Sequence, residues 1–119
     1  MTILPLDSYI RMYRKQTGLT HDEIAFLCGA MCGSSVARHE TGERLPVLRT
    51  ALMYEFILGA TISELYEGLF HDARKAVRDR ARGLCASLER KPKTPERDHK
   101  IAVLRALLEE IPEVTPLIQ

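Results

Sequence analysis

The chain has 119 residues, 45% of them hydrophobic and 28% charged, with a formal net charge of +1. That length allows one small domain and an appendage, and that composition predicts a soluble globular protein. No apolar run approaches the roughly 20 residues needed to cross a bilayer, and Ile3 and Leu4 run straight into Pro5 and Asp7, leaving no secretory core. Three cysteines, an odd count, fit a reducing and therefore cytoplasmic setting.

Charge is unevenly placed. Residues 1–70 carry six Lys/Arg against eight Asp/Glu, a net −2. Residues 71–100 carry ten against five, a net +5, and residues 101–119 one against three, a net −2. The first seventy residues are therefore not a strongly basic surface, which counts against tight non-specific binding of nucleic acid by that part alone.

In chain order, Leu6 to Gln16 predicts a first helix, with Asp7 or Ser8 near its cap and Leu6, Ile10 and Tyr13 at helical spacing. Arg11, Arg14 and Lys15 fall in its later turns, where cations suit the helix dipole. Gly18 ends it. Thr20 and Glu23 form a capping box, so a second helix starts at His21. Its inner face reads Ile24, Leu27 and Cys28, with Ala25 beside them, and Gly29 suits a left-handed terminator. Gly33 and Ser34 lead into a third short helix through Val36 and His39, which Gly42 closes.

Leu45 to Leu58 predicts a fourth helix, with Pro46 in its first turn and Leu48, Leu52, Tyr54, Glu55 and Ile57 as its inner face. Gly59 stops it. Thr61 and Glu64 are a second capping box, opening a fifth helix that buries Ile62, Leu65, Tyr66 and Leu69. His71 to Arg90 contains no proline and one glycine, Gly83. It reads as a continuation of the fifth helix with a thin stripe of Ala73, Ala76, Val77, Arg80, Leu84 and Leu88. So little apolar surface would be marginal alone, so the segment should pack on something. Lys91 to Pro95 is a break. Thr94 as cap and Pro95 at the first position begin a sixth helix striped by Ile101, Leu104, Leu107, Leu108 and Ile111. Pro112 ends it, leaving Glu113 to Gln119 as a frayed tail. No strand pattern or internal repeat is visible.

Two short helices joined by a glycine-bearing turn are the plan of a helix-turn-helix. The run from Arg14 to Pro46 resembles the lambda-repressor/Cro-like (Xre) family of DNA-binding proteins. Arg14, Gly18, Leu19, Thr20, Ile24, Ala25, Gly29, Ser35, Val36, Arg38, Glu40, Gly42, Arg44 and Pro46 match that family's pattern. His21 departs from it, standing where glutamine is usual. The resemblance covers about the first seventy residues. It implies an all-α fold: a five-helix lambda-repressor-like domain over residues 1–70, followed by a helical extension over 71–119. It also implies a salt bridge between Arg14 and Glu40, tying the first helix to the third.

The function so implied is sequence-specific binding of double-stranded DNA by a transcriptional regulator, a repressor, with the third helix in the major groove. Arg38 lies on that helix's outer face if Val36 and His39 mark its inner one. A guanidinium there can donate two hydrogen bonds to a guanine edge or clamp a phosphate. Gly33 and Ser34 open the same helix, where short side chains permit close approach or phosphate contact through backbone N–H groups. His21, Ser35 and Arg44 are expected at phosphates.

A homodimer is expected, joined through residues 71–119, because the stripe of the sixth helix lacks an obvious partner. The alternative is an antitoxin-like or adaptor module that keeps the fold and binds DNA weakly. No enzyme constellation and no cofactor motif is legible. Cys28 and Cys32, with His21 or His39, lack the second ligand pair of a structural zinc site. No membrane partner is expected.

Overall fold

A computed structural model of the chain describes residues 8–29 and 32–111. Among these residues the regular structure is seven helices and no strand: α1 (Ile10–Thr17), α2 (His21–Leu27), α3 (Gly33–Thr41), α4 (Leu48–Leu58), α5 (Ile62–Leu65), α6 (Glu67–Glu89) and α7 (Pro95–Glu110). The expected contributions of Leu6 and Asp7 to the first helix, of Pro112 as a stop, and of the tail 113–119 lie outside the described residues. The chain divides into two compact units, with the boundary between Phe70 and His71.

Helix ends in the first unit follow local chemistry. The Thr20 hydroxyl accepts from the Glu23 amide while the Glu23 carboxylate accepts from the Thr20 amide, so both halves of the capping box form. The Thr61 and Glu64 pair does the same for α5. Ser8 serves the start of α1, its hydroxyl accepting from the Ile10 amide at 3.3 Å. Gly18 and Gly42 close α1 and α3 at φ 79° and 78°, a left-handed conformation that a Cβ disfavours.

α2 packs on α3, α1 touches both α3 and α4, and α4 meets α5. Ile10, Ile24, Val36, Tyr54 and Leu65 are completely buried at the centre, with Ala25, Leu58, Ala60 and Tyr66 around them. Each large member contributes about 1.5–3 kcal/mol by leaving water. The Tyr9 amide donates to the Leu65 carbonyl at 2.7 Å, tying the start of α1 to the end of α5.

Several expectations shift. α4 begins at Leu48, after Val47 as N-cap, so Pro46 precedes the helix instead of entering its first turn. The inner face of α4 is Ala51, Tyr54 and Leu58, while Leu48 and Leu52 are exposed. Glu55 is not apolar lining: its carboxylate accepts from the Ile62 amide at 2.6 Å, at the mouth of α5. Leu27 and Leu69 are also exposed. The long helix does not continue α5, because Tyr66, at φ −124° and ψ 58°, breaks the run before α6 starts at Glu67.

In the second unit, residues 71–89 of α6 and α7 form a two-helix hairpin. Cys85, Leu88 and Ile101 are buried against one another, and Leu104 packs on them. The buried stripe of α6 is Arg78, Ala81, Cys85 and Leu88, not the expected Ala73, Val77, Arg80 and Leu84, which are exposed. Thr94 caps α7 by accepting from the Arg97 amide at 3.1 Å, with Pro95 in the first turn. From α7, Arg97 donates back to the last carbonyls of α6, at Leu88 (2.9 Å) and Glu89 (3.0 Å). Of the expected stripe of α7, Ile101 and Leu104 thus find partners inside the chain.

Candidate nucleic-acid interface

α3 is held in place from three sides. Below it, Glu40 is 7% exposed and meets Arg14 of α1, Nε to Oε1 at 2.5 Å. Its other oxygen, Oε2, lies 2.8 Å from Nε2 of His21 at the first position of α2. Arg14 also donates to the Leu19 carbonyl at 3.1 Å. One carboxylate therefore joins three helices. Burial alone would push the Glu40 carboxyl up, but the bonds from Arg14 and His21 outweigh it and hold the group below its ordinary value.

On the inner face, His39 is buried with its Nδ1 at 2.6 Å from the Tyr54 hydroxyl of α4, the rings set edge to face. Its carbonyl accepts from the Tyr66 hydroxyl at 3.2 Å and from Ser8 at 3.4 Å. Burial, then the nearby positive charge of Arg44, lower the His39 pKa. Burial raises those of Tyr54 and Tyr66, so both phenols stay protonated at neutral pH.

Gly33 is buried, contrary to a surface role. A Cβ there would run into the Asp22 carboxylate and come within 3.2 Å of the Asp22 backbone nitrogen. The missing side chain lets α3 start flush against the first turn of α2. His21 likewise faces inward to Glu40 through Nε2, leaving Nδ1 as the ring atom for any outside contact.

Ser34 and Ser35 do not present free hydroxyls. They lie 2.9 and 3.5 Å from the Cys32 sulfur, which sits at the N-cap of α3. Those hydrogen bonds, Ser34's first, lower the exposed Cys32 thiol to about 6. A Cys32 thiol polarised by two serine hydroxyls was not anticipated; the run Cys-x-Ser-Ser across the start of a helix carries the signal.

Arg38 stands opposite Val36 and His39 on the exposed side of α3, with no hydrogen-bond partner for its guanidinium among the described residues. Arg44 is exposed in the loop that follows, and its amide donates to the Arg38 carbonyl at 3.3 Å. The outward surface thus combines two arginines, the Cys32–Ser34–Ser35 cluster and one edge of His21. Among the described residues, no three His, Cys, Asp or Glu side chains converge as a metal-binding group. No described helix is long and apolar enough to cross a membrane.

No family model matches the chain, and neither a curated protein nor a solved structure is similar enough to match it.

Proposed function

We propose that the chain binds double-stranded DNA sequence-specifically as a transcriptional regulator, a repressor, acting as a homodimer with α3 in the major groove. What supports this reading most is Arg38: an exposed guanidinium with no hydrogen-bond partner among the described residues, on a short helix whose other faces are fixed to three neighbouring helices. A side chain meant to select a base must be carried by a backbone that does not rock, and the Arg14–Glu40–His21 and His39–Tyr54 links restrain it. In this reading Arg38 meets a guanine edge, Ser34 lies beside the bases, and Ser35, Arg44 and His21 Nδ1 meet phosphates. Gly33 serves by keeping α3 close to α2.

One observation favours the second reading, an adaptor with weak DNA binding. The Cys32 thiol, lowered to about 6, places negative charge at the start of α3, where a phosphate would otherwise be received. The net −2 of residues 1–70 acts in the same direction.

Selection of bound fragments from random DNA, followed by anisotropy titrations at several salt concentrations, separates the readings. The parent should prefer a sequence. Arg38→Ala should lose roughly 1–3 kcal/mol per half-site and relax preference at one base pair. Arg44→Ala should weaken all sequences equally and lower the salt slope by about one per site. A parent without sequence preference at low salt would leave only the adaptor reading.

A further inference from the structure

We infer that the outward face of α4 is the surface on which a second copy of this chain docks. The inference rests on the homodimer part of the reading above and names its contact. Leu48, Leu52 and Phe56 repeat every fourth residue, so they form one stripe along α4, opposite the buried Ala51, Tyr54 and Leu58. They are 71%, 43% and 89% exposed, and Val47 at the N-cap adds another side chain at 71%. Isolated exposed apolar residues are ordinary; an unbroken stripe is not.

The size and pattern of the stripe point to a copy of itself. Its exposed apolar area is on the order of 400 Å², given typical side-chain areas. Doubled about a two-fold axis and ringed by polar contacts, it comes to about 1,000 Å², the lower bound of a specific interface. Leu52 sits at the centre, with Leu48 one turn before it and Phe56 one turn after. Two antiparallel α4 helices crossing at Leu52 would cover the stripe from end to end. Arg49 is three residues from Leu52 and exposed, so at each end an Arg49 comes beside the second copy's Phe56 ring. The two copies of Arg49 stand about 9 Å apart along the seam, so like charges do not meet on the axis.

The extension offers a weaker competitor. Its exposed large apolar residues are Val77 and Leu84 on α6, a full seven residues apart with Arg80 and Gly83 between them, and a single valine, Val103, on α7.

Sedimentation of the full chain at tens of micromolar (an order-of-magnitude choice for a modest interface) should show a dimer. Leu52→Glu should weaken it at least about tenfold, since a charge placed at the centre of an apolar contact is left desolvated, and Phe56→Arg should do the same by setting like charge beside the second copy's Arg49. The pair Val77→Glu and Leu84→Glu should leave it unchanged. Circular dichroism confirms that each variant keeps its helices; these side chains leave the core intact. A cross-link supplies a second route. In a Cys32→Ser background, Leu52→Cys should form an inter-chain disulfide under air oxidation, whereas Leu48→Cys should not, because only position 52 meets itself. A monomeric parent, a Leu52→Glu dimer as tight as the parent's, loss of the dimer in the Val77/Leu84 variant, or cross-linking at 48 but not at 52 would each overturn the inference. DNA titration of the same samples scores the DNA reading separately: a monomer that still selects a sequence refutes the docking face alone, and a dimer that selects none refutes DNA recognition alone.

Discussion

At the scale of single residues, the chain spends buried polar chemistry on the orientation of one short helix. Glu40 accepts from Arg14 and His21 together. Arg14→Ala leaves the carboxylate with the imidazole alone, in a site nearly closed to water, and should cost about 2–4 kcal/mol of stability. Urea unfolding checks this; a midpoint equal to the parent's would mean that His21 alone satisfies Glu40. His39 adds a pH dependence of its own. Its native pKa is depressed, so below the ordinary histidine value the unfolded chain takes up a proton that the folded chain refuses. Stability is then full above about pH 7 and falls as the pH drops below roughly 6.5. The Glu40 contribution is lost in a separate, more acidic window, below the ordinary carboxylate value, because its native pKa is lowered. Unfolding midpoints at pH 7.5 and pH 5.5 should differ for the parent and converge in His39→Gln. Equal slopes in the two proteins would show that other groups carry the effect.

At the scale of elements, the parts legible in the sequence were those decided within a few residues. Both capping boxes, the Thr94–Pro95 start of α7 and the left-handed Gly18, Gly29 and Gly42 lie where local chemistry predicts. The faces of helices were less legible. On α4, leucines 48 and 52 are as apolar as any core residue, yet neighbours from α1 and α5 bury Ala51, Tyr54 and Leu58 instead. On α6, the pairing with α7 buries Cys85 and Leu88, and Val77 and Leu84 face outward. Among the candidate site residues, the outward placement of Arg38 was legible from Val36 and His39, whereas the Arg14–Glu40 pair was expected only from the resemblance. The burial of Gly33 and the inward turn of His21 were not legible, because each depends on how closely α2 approaches α3. Arg97 belongs with these long-range features, since it closes the carbonyl end of a helix that precedes its own. Arg97→Ala should strip charged donors from the Leu88 and Glu89 carbonyls and cost about 1–3 kcal/mol. Hydrogen exchange should show faster exchange along α6 beyond His71 and along α7, with α1 to α5 unaffected. Unchanged rates in the hairpin would assign those carbonyls to solvent.

At the scale of the whole molecule, the two units carry opposite charge: a net −2 up to Phe70 and, across residues 71–119, eleven Lys/Arg against eight Asp/Glu. Reactivity is as unevenly distributed as charge. The three thiols differ sharply: Cys28 is half-buried with its pKa raised by burial, Cys85 is buried, and Cys32 is exposed and lowered to about 6. At neutral pH Cys32 is mostly thiolate, the nucleophilic form. Brief treatment with iodoacetamide at pH 7 should therefore add one carbamidomethyl group, which peptide mass mapping would place at Cys32; alkylation spread over all three cysteines would contradict the polarised thiol. A maleimide dye would then attach at one address in the native sequence, without engineering. That address is the first turn of the helix that carries Arg38, so the protein comes with its own optical probe for whatever approaches that surface.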